Sequence, residues 1–175
     1  HHKTGTDRIY EALKKLNKPD IQLVMNLQGD EPLMNIKDIR NLHNQMLKNK
    51  SELGTLASNI VDKNLYNEQN VVKVVTAESL EMSEFPDAID FIRKTTNENK
   101  NTYHHLGIYC YQFETLKNFV SLKQSNNEIK KNLEQLRALD NNIKINVSLA
   151  KESPIGVDTE KDYVAIKKIM EYKSK

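Results

Sequence analysis

Two carboxylates sit between two chain breakers in Gly29-Asp30-Glu31-Pro32, directly after an apolar run, Ile21 to Leu27. The run reads as a buried strand, and Gly29 and Pro32 end it. Open α/β sheets bind their ligands just beyond the carboxyl ends of strands, so Asp30 is placed for chemistry. Gly29 lets a ligand approach the backbone closely. A second carboxylate, Asp158 in Gly156-Val157-Asp158-Thr159, falls between a strand pattern and a helix pattern. Two hard carboxylates from distant parts of a chain are ligands that Mg²⁺ prefers when it also holds substrate phosphates. Asp158 can equally cap the helix that follows, and one oxygen can do each task.

Other chemistries lose support. The five glycines are isolated, so there is neither a Gly-x-Gly-x-x-Gly fingerprint nor a Walker A loop. Cys-x-x-Cys and His-Glu-x-x-His are absent, which removes a zinc site of the usual spacing. There is no Gly-x-Ser-x-Gly elbow. His104 and His105 are adjacent on a strand pattern and point to opposite faces, so at most one looks into a given pocket. Lys73 interrupts the β-branched run 71–75; it reads as an edge or snorkelling side chain, or as one that faces a bound anion.

The elements that must position these residues alternate. Thr6 or Asp7 can cap a first helix with Ile9, Tyr10, Leu13 and Leu16 on its stripe. Asn35 can cap a second, with Ile36, Ile39, Leu42, His43 and Met46 on its apolar side. Gly54 opens a strand that runs to Val61, and 71–75, 106–112 and 144–150 follow as strands. The region 77–102 reads as a surface excursion with one short helix at 89–92. Helices are expected at 114–122 and 128–139, the latter on a stripe of Ile129, Leu133 and Leu136. Thr159-Glu160-Lys161-Asp162 has capping-box form and opens a last helix with Ile166, Ile169 and Met170 buried. The class is α/β. With 175 residues and no linker or repeat, the chain reads as one domain.

Composition bounds the partners. With 26 basic and 24 acidic residues the net charge is +2, which favours neither nucleic acid nor a membrane surface. The lone Cys110 excludes an internal disulfide and fits a reducing cytoplasm. No apolar run approaches the ~20 residues of a membrane span.

Six segments in order resemble the 3-deoxy-manno-octulosonate (Kdo) cytidylyltransferases. They are Thr4-Gly5-Thr6-Asp7-Arg8, Asn26-Leu27-Gln28-Gly29-Asp30-Glu31-Pro32, Asn70-Val71-Val72-Lys73-Val74, His105-Leu106-Gly107-Ile108-Tyr109, Leu133-Glu134-Gln135-Leu136-Arg137 and Gly156-Val157-Asp158-Thr159. The resemblance implies a nucleotide-diphospho-sugar transferase fold, a layered α/β sheet with flanking helices, and commonly a homodimer. It implies the reaction of CTP with Kdo to give CMP-Kdo and pyrophosphate, with Mg²⁺, for lipopolysaccharide synthesis. By the same resemblance Asp30 and Asp158 hold Mg²⁺. Gln28, His105, Tyr109, Glu134 and Gln135 face the sugar acid, and His2, Thr4 and Gly5 the cytidine side. Glu134 and Gln135 lie off the Leu133–Leu136 stripe and are free to face a cleft or solvent.

Some family features are missing or altered. The family's opening strand and phosphate-wrapping loop have no match, so the chain reads as the C-terminal part of such a domain. On that reading it needs a complementing N-terminal chain for activity and leaves apolar surface uncovered. Glu84 stands where the family has an arginine, Lys131 where a glutamate is usual, and His1 where an aspartate is usual. Two other readings compete: a cytidylyltransferase for a different sugar acid, and a non-enzymatic remnant or dimerisation module.

Overall fold

The computed structural model describes the chain except residues 1, 3, 19, 28, 96–100, 153–155, 158, 174 and 175. In chain order the elements are α1 (Gly5–Leu16), β1 (Leu23–Asn26), α2 (Ile36–Asn49), β2 (Leu53–Ser58), a 3-10 turn (Lys63–Tyr66), β3 (Lys73–Thr76), β4 (Ala88–Ile92), β5 (Thr102–Gln112), α3 (Phe113–Ser121), α4 (Asn126–Lys131), α5 (Leu136–Asp140), β6 (Ile145–Leu149) and α6 (Glu160–Lys173). The strands form one mixed sheet in the order β4-β3-β5-β2-β6, with β1 also beside β5. β5 is its axis: the first part pairs with β3, the last part with β1, and β2 runs along the other side. Only the β2–β6 pair is parallel among the described strands.

Helices cover both faces, which makes the layered α/β fold. Ile9, Tyr10 and Leu13 of α1 join Leu116 and Phe119 of α3 and Leu136 of α5 over one face. Leu42 and Met46 of α2 cover the other, against Leu56, Leu106, Ile108 and Cys110. Covered twice, β2 has no exposed residue, as its unbroken run Leu53 to Ser58 requires. Gly54 allows α2 to come this near: a Cβ there would stand 2.6 Å from Met46 Sδ and 3.0 Å from both Leu42 Cδ1 and Phe85 Cζ. No helix among the described residues is long and apolar enough to cross a membrane.

Several elements depart from the sequence expectations. Thr4, not Thr6 or Asp7, caps α1, its hydroxyl accepting the Asp7 N–H at 3.3 Å; Thr6 is buried. β2 ends at Ser58 rather than Val61, and β5 begins four residues before Leu106. Residues 88–92 are a strand, not a helix, because they complete an antiparallel pair with β3 that buries Ala88 and Phe91. Five residues are too few for periodicity to separate the two. Ile36, Ile129 and Met170 are exposed rather than inward.

Lys73 is neither an edge residue nor turned to an anion. It is fully buried in β3, between β4 and β5, and its ammonium donates to the carbonyls of Glu68 (2.7 Å), Val71 (2.8 Å) and Arg93 (2.6 Å). Burial lowers its pKa, and the three carbonyls replace its lost hydration.

The expected helix 128–139 is two helices with a break at 132–135. Asn132 is left-handed with φ 52° and ends α4. The cause is a buried ion pair. Glu128 accepts from Arg137 Nε at 2.8 Å and Nη2 at 2.6 Å. Nine residues along a continuous helix would place these two on opposite faces, ~13 Å apart along the axis, so the pair requires the chain to turn. Burial works to raise the Glu128 carboxyl, but the bonds from Arg137, Gln124 and Ser125 hold it below its ordinary range.

Candidate active site

The turn after β1 is tied to two distant segments. The Asp30 carbonyl accepts the Val157 N–H at 2.7 Å. Glu31 Oε1 accepts the Gly107 N–H of β5 at 2.9 Å. The chain at 156–157 is thus laid against residue 30, while the Asp30 residue itself stays exposed. Asp158 and Gln28 lie outside the described residues.

The Gly107 N–H is available because β5 bulges there. Thr55 pairs with Tyr109, but the next residue, Leu56, pairs with Leu106, so Gly107 and Ile108 are extra. The Thr55 hydroxyl, fully buried, donates to the Ile108 carbonyl at 2.7 Å and closes the bulge from the β2 side. Four residues of regular strand span ~13 Å. Across the bulge, the His105 and Tyr109 ring centroids are 5.4 Å apart, and Phe91 packs its edge on His105 at 5.0 Å. The bulge therefore gathers two expected sugar-acid residues.

A cavity of about 970 Å³ opens over this junction. Asp30, Glu31, His104, His105 and Gly107 line it with Asn70 to Val72, Lys151, Glu152, Gly156, Val157 and Asp162. Among the described residues its lining is rich in acids: Asp30, Glu31, Asp62, Glu152 and Asp162, with Lys151. Such a lining attracts a divalent cation and repels a naked polyphosphate. Burial, with His104 adjacent, pushes the His105 pKa down to about 3, so the ring is neutral. Burial and the nearby Lys73 lower His104 as well. Both histidines are among the residues that line the cavity.

The remaining expected residues form an adjoining cluster off that lining. Glu134 lies in the α4–α5 break near the Thr4 and Thr6 side chains, with Arg137 Nη2 4.0 Å away. Burial raises its pKa. Gln135 is buried beside it. Thr4 caps α1, Gly5 is its first residue, and His2 pairs with Glu11 at 2.5 Å. Tyr109 links the two groups: its phenol pKa is raised by burial and by the charges of Glu134 and Glu31. The ion pair of Glu128 with Arg137 fixes the break, and so places Glu134 at the start of α1.

Glu84 does not face the cavity. Its carboxylate accepts from Lys48 at 2.9 Å and Gln45 at 3.2 Å, both on α2. Lys131 turns to Asp90 at 2.9 Å. His1 lies outside the described residues. Sequence reasoning missed Thr55 and Lys151. Neither sits in a motif, and the role of Thr55 exists only once β5 has bulged.

The chain is similar to known cytidylyltransferases in sequence and in fold. The family model described as cytidylyltransferase matches residues 1–145. The 3-deoxy-manno-octulosonate cytidylyltransferase of Bartonella tribocorum is 37% identical over 171 residues, covering 97% of this chain and 70% of that protein. The protein of the same name from Thermodesulfovibrio yellowstonii is 41% identical over 180 residues, with the same shares covered. A solved structure of CMP:2-keto-3-deoxy-manno-octonic acid synthetase complexed with CTP matches with a TM-score of 0.84 at 30% identity, over 98% of this chain and 70% of that one. Apo UDP-glucose pyrophosphorylase, at 11% identity and a TM-score of 0.71 over 100% of this chain and 62% of that one, shares the fold alone.

Proposed function

The chain belongs to the 3-deoxy-manno-octulosonate cytidylyltransferase family, and we propose that it activates Kdo with CTP, releasing CMP-Kdo and pyrophosphate for lipopolysaccharide synthesis. The observation that carries this reading is the cavity where the Asp30 turn, the 156–157 segment and the β5 bulge meet. In the reaction the anomeric hydroxyl of Kdo attacks the α-phosphorus of CTP. An O–P bond forms, the bridging bond to the β-phosphate breaks, and the hydroxyl proton is lost. Little covalent work falls to the protein, whose task is positioning and charge.

Asp30 and Asp158 are the proposed holders of Mg²⁺. The donor set fits: an exposed carboxylate in an acid-rich lining offers the hard oxygens this ion takes, leaving positions for water and phosphate. When bound, the ion neutralises charge on the phosphoryl oxygens. His105, Tyr109, Gln28, Glu134 and Gln135 are proposed to hold the sugar acid, and His2, Thr4 and Gly5 the cytidine. Tyr109 with its raised pKa keeps its proton and serves as a donor to a carboxylate or hydroxyl. A homodimer and a cytoplasmic location belong to the same proposal.

The test is pyrophosphate release with CTP, Mg²⁺ and Kdo, run beside sialic acid. Kdo-dependent release that falls about 100-fold or more in Asp30→Ala supports the reading. Preference for sialic acid, or turnover indifferent to Asp30→Ala, overturns it.

A further inference from the structure

His105 lines the cavity with one ring nitrogen already committed. Its Nε2 lies 3.0 Å from the hydroxyl oxygen of Thr55. A threonine hydroxyl has one proton and two acceptor pairs. The Thr55 proton has a better destination: the Ile108 carbonyl at 2.7 Å, with the Leu106 carbonyl at 3.3 Å as a second. Both are carbonyls, which accept only. The bond between Thr55 and His105 must therefore run the other way, with Nε2–H donating to the hydroxyl. A neutral imidazole carries a single N–H, so Nδ1 is left with a lone pair. The strong burial of the ring agrees with a neutral imidazole. Phe91 and Tyr109 both pack against the ring and restrict its plane.

We propose that Thr55 is a positioning residue: by accepting from Nε2 it holds His105 in the Nε2–H tautomer, so that the ring meets substrate only as an acceptor, at Nδ1. This rests on the reading of His105 as a sugar-acid residue and goes one step past it. An acceptor lone pair takes a hydroxyl group and repels a carboxylate. His105 thus recognises a hydroxyl of the sugar acid and not its carboxyl group. Thr55 touches no substrate; it acts through His105 and through the carbonyls of the bulge.

Nitrogen-15 NMR of the histidine side chains tests this, with the His105 signals identified by their loss in His105→Gln. In the wild-type protein at pH 7, Nε2 is expected protonated and Nδ1 unprotonated, and Kdo should shift the Nδ1 resonance. Thr55→Ser keeps the hydroxyl and should keep the pattern. Thr55→Val has nearly the same shape without the acceptor. It should lose the single tautomer and raise the KM for Kdo about tenfold, the worth of one oriented hydrogen bond, with the KM for CTP changed less than twofold. A wild-type His105 protonated at Nδ1 overturns the proposal, and that arm needs no variant to fold. A Thr55→Val protein that keeps both the tautomer and the KM for Kdo overturns it too. If the tautomer is as expected but Kdo leaves Nδ1 unmoved, the sugar-acid reading of His105 fails, and with it the recognition of a hydroxyl.

Discussion

His105 shows how much of a residue's chemistry is set by its surroundings. An imidazole with an ordinary pKa near 6.5 titrates across physiological pH. Burial, with His104 beside it, holds this one down to about 3, so the folded state binds a proton there far less readily than the unfolded chain does. The sign follows. Between pH 3 and 6.5 the unfolded state carries more protons, so stability rises with pH in that window and is lost as pH falls from about 6.5 toward 3. One such histidine changes stability by at most ~1.4 kcal/mol per pH unit. Glu128, with a lowered pKa, adds to the loss at lower pH, once its carboxyl begins to protonate. Urea unfolding at pH 7 and pH 5 should show a larger drop for the wild-type protein than for His105→Gln. Equal drops would mean that His105 is not buried neutral.

Among the elements, β3 and the segment 62–72 before it depend on Lys73. Its ammonium is the common donor to carbonyls at 68, 71 and 93, and residues 70–72 wall the cavity. Lys73→Met keeps the stem volume and removes the charge, but deprives three carbonyls of their donor. We expect a loss of about 3 kcal/mol in urea unfolding, and faster amide exchange at residues 68–72. A neutral effect would show that water replaces the ammonium there without cost. The α4–α5 break has the same logic. Arg137→Met strands the Glu128 carboxylate in the interior, so a loss of about 3–5 kcal/mol is expected from the same measurement. Release of the ordered break should weaken whatever Glu134 holds.

For the molecule as a whole, the acid-rich cavity makes a prediction about how the proposed ligands bind. On the proposed reading, the five carboxylates that line the cavity with Lys151 among the described residues are expected to oppose a triphosphate that arrives without a divalent cation. CTP with Mg²⁺ at about 100 times its dissociation constant should stabilise the fold by ~2.7 kcal/mol, a rise in melting temperature of roughly 5–10 °C. CTP with EDTA in place of Mg²⁺ should give little or none of that rise. An equal shift without the metal would place the nucleotide away from this cavity.

The amino-acid order by itself determined what depends on local pattern. Apolar runs and caps marked most elements, and the α/β class followed from their alternation. Motifs in order marked the family, and the Gly29–Pro32 turn marked a ligand-bearing strand exit. Apart from the cap of α1, its main failures were of one kind. The turn of the chain at 132–135 exists because Glu128 and Arg137 meet across nine residues. The strand at 88–92 exists because β3 offers an edge. Lys73 is buried because the Arg93 carbonyl, twenty residues on, joins the nearby carbonyls of Glu68 and Val71 around its ammonium. The pairing of His105 with Thr55, and of Glu31 with Gly107, waits on a bulge that only the register between β2 and β5 creates. Local propensity is summed over neighbours in sequence. These features are settled by partners as far as 76 residues away, whose hydrogen bonds and buried charges cannot be satisfied until the sheet has assembled.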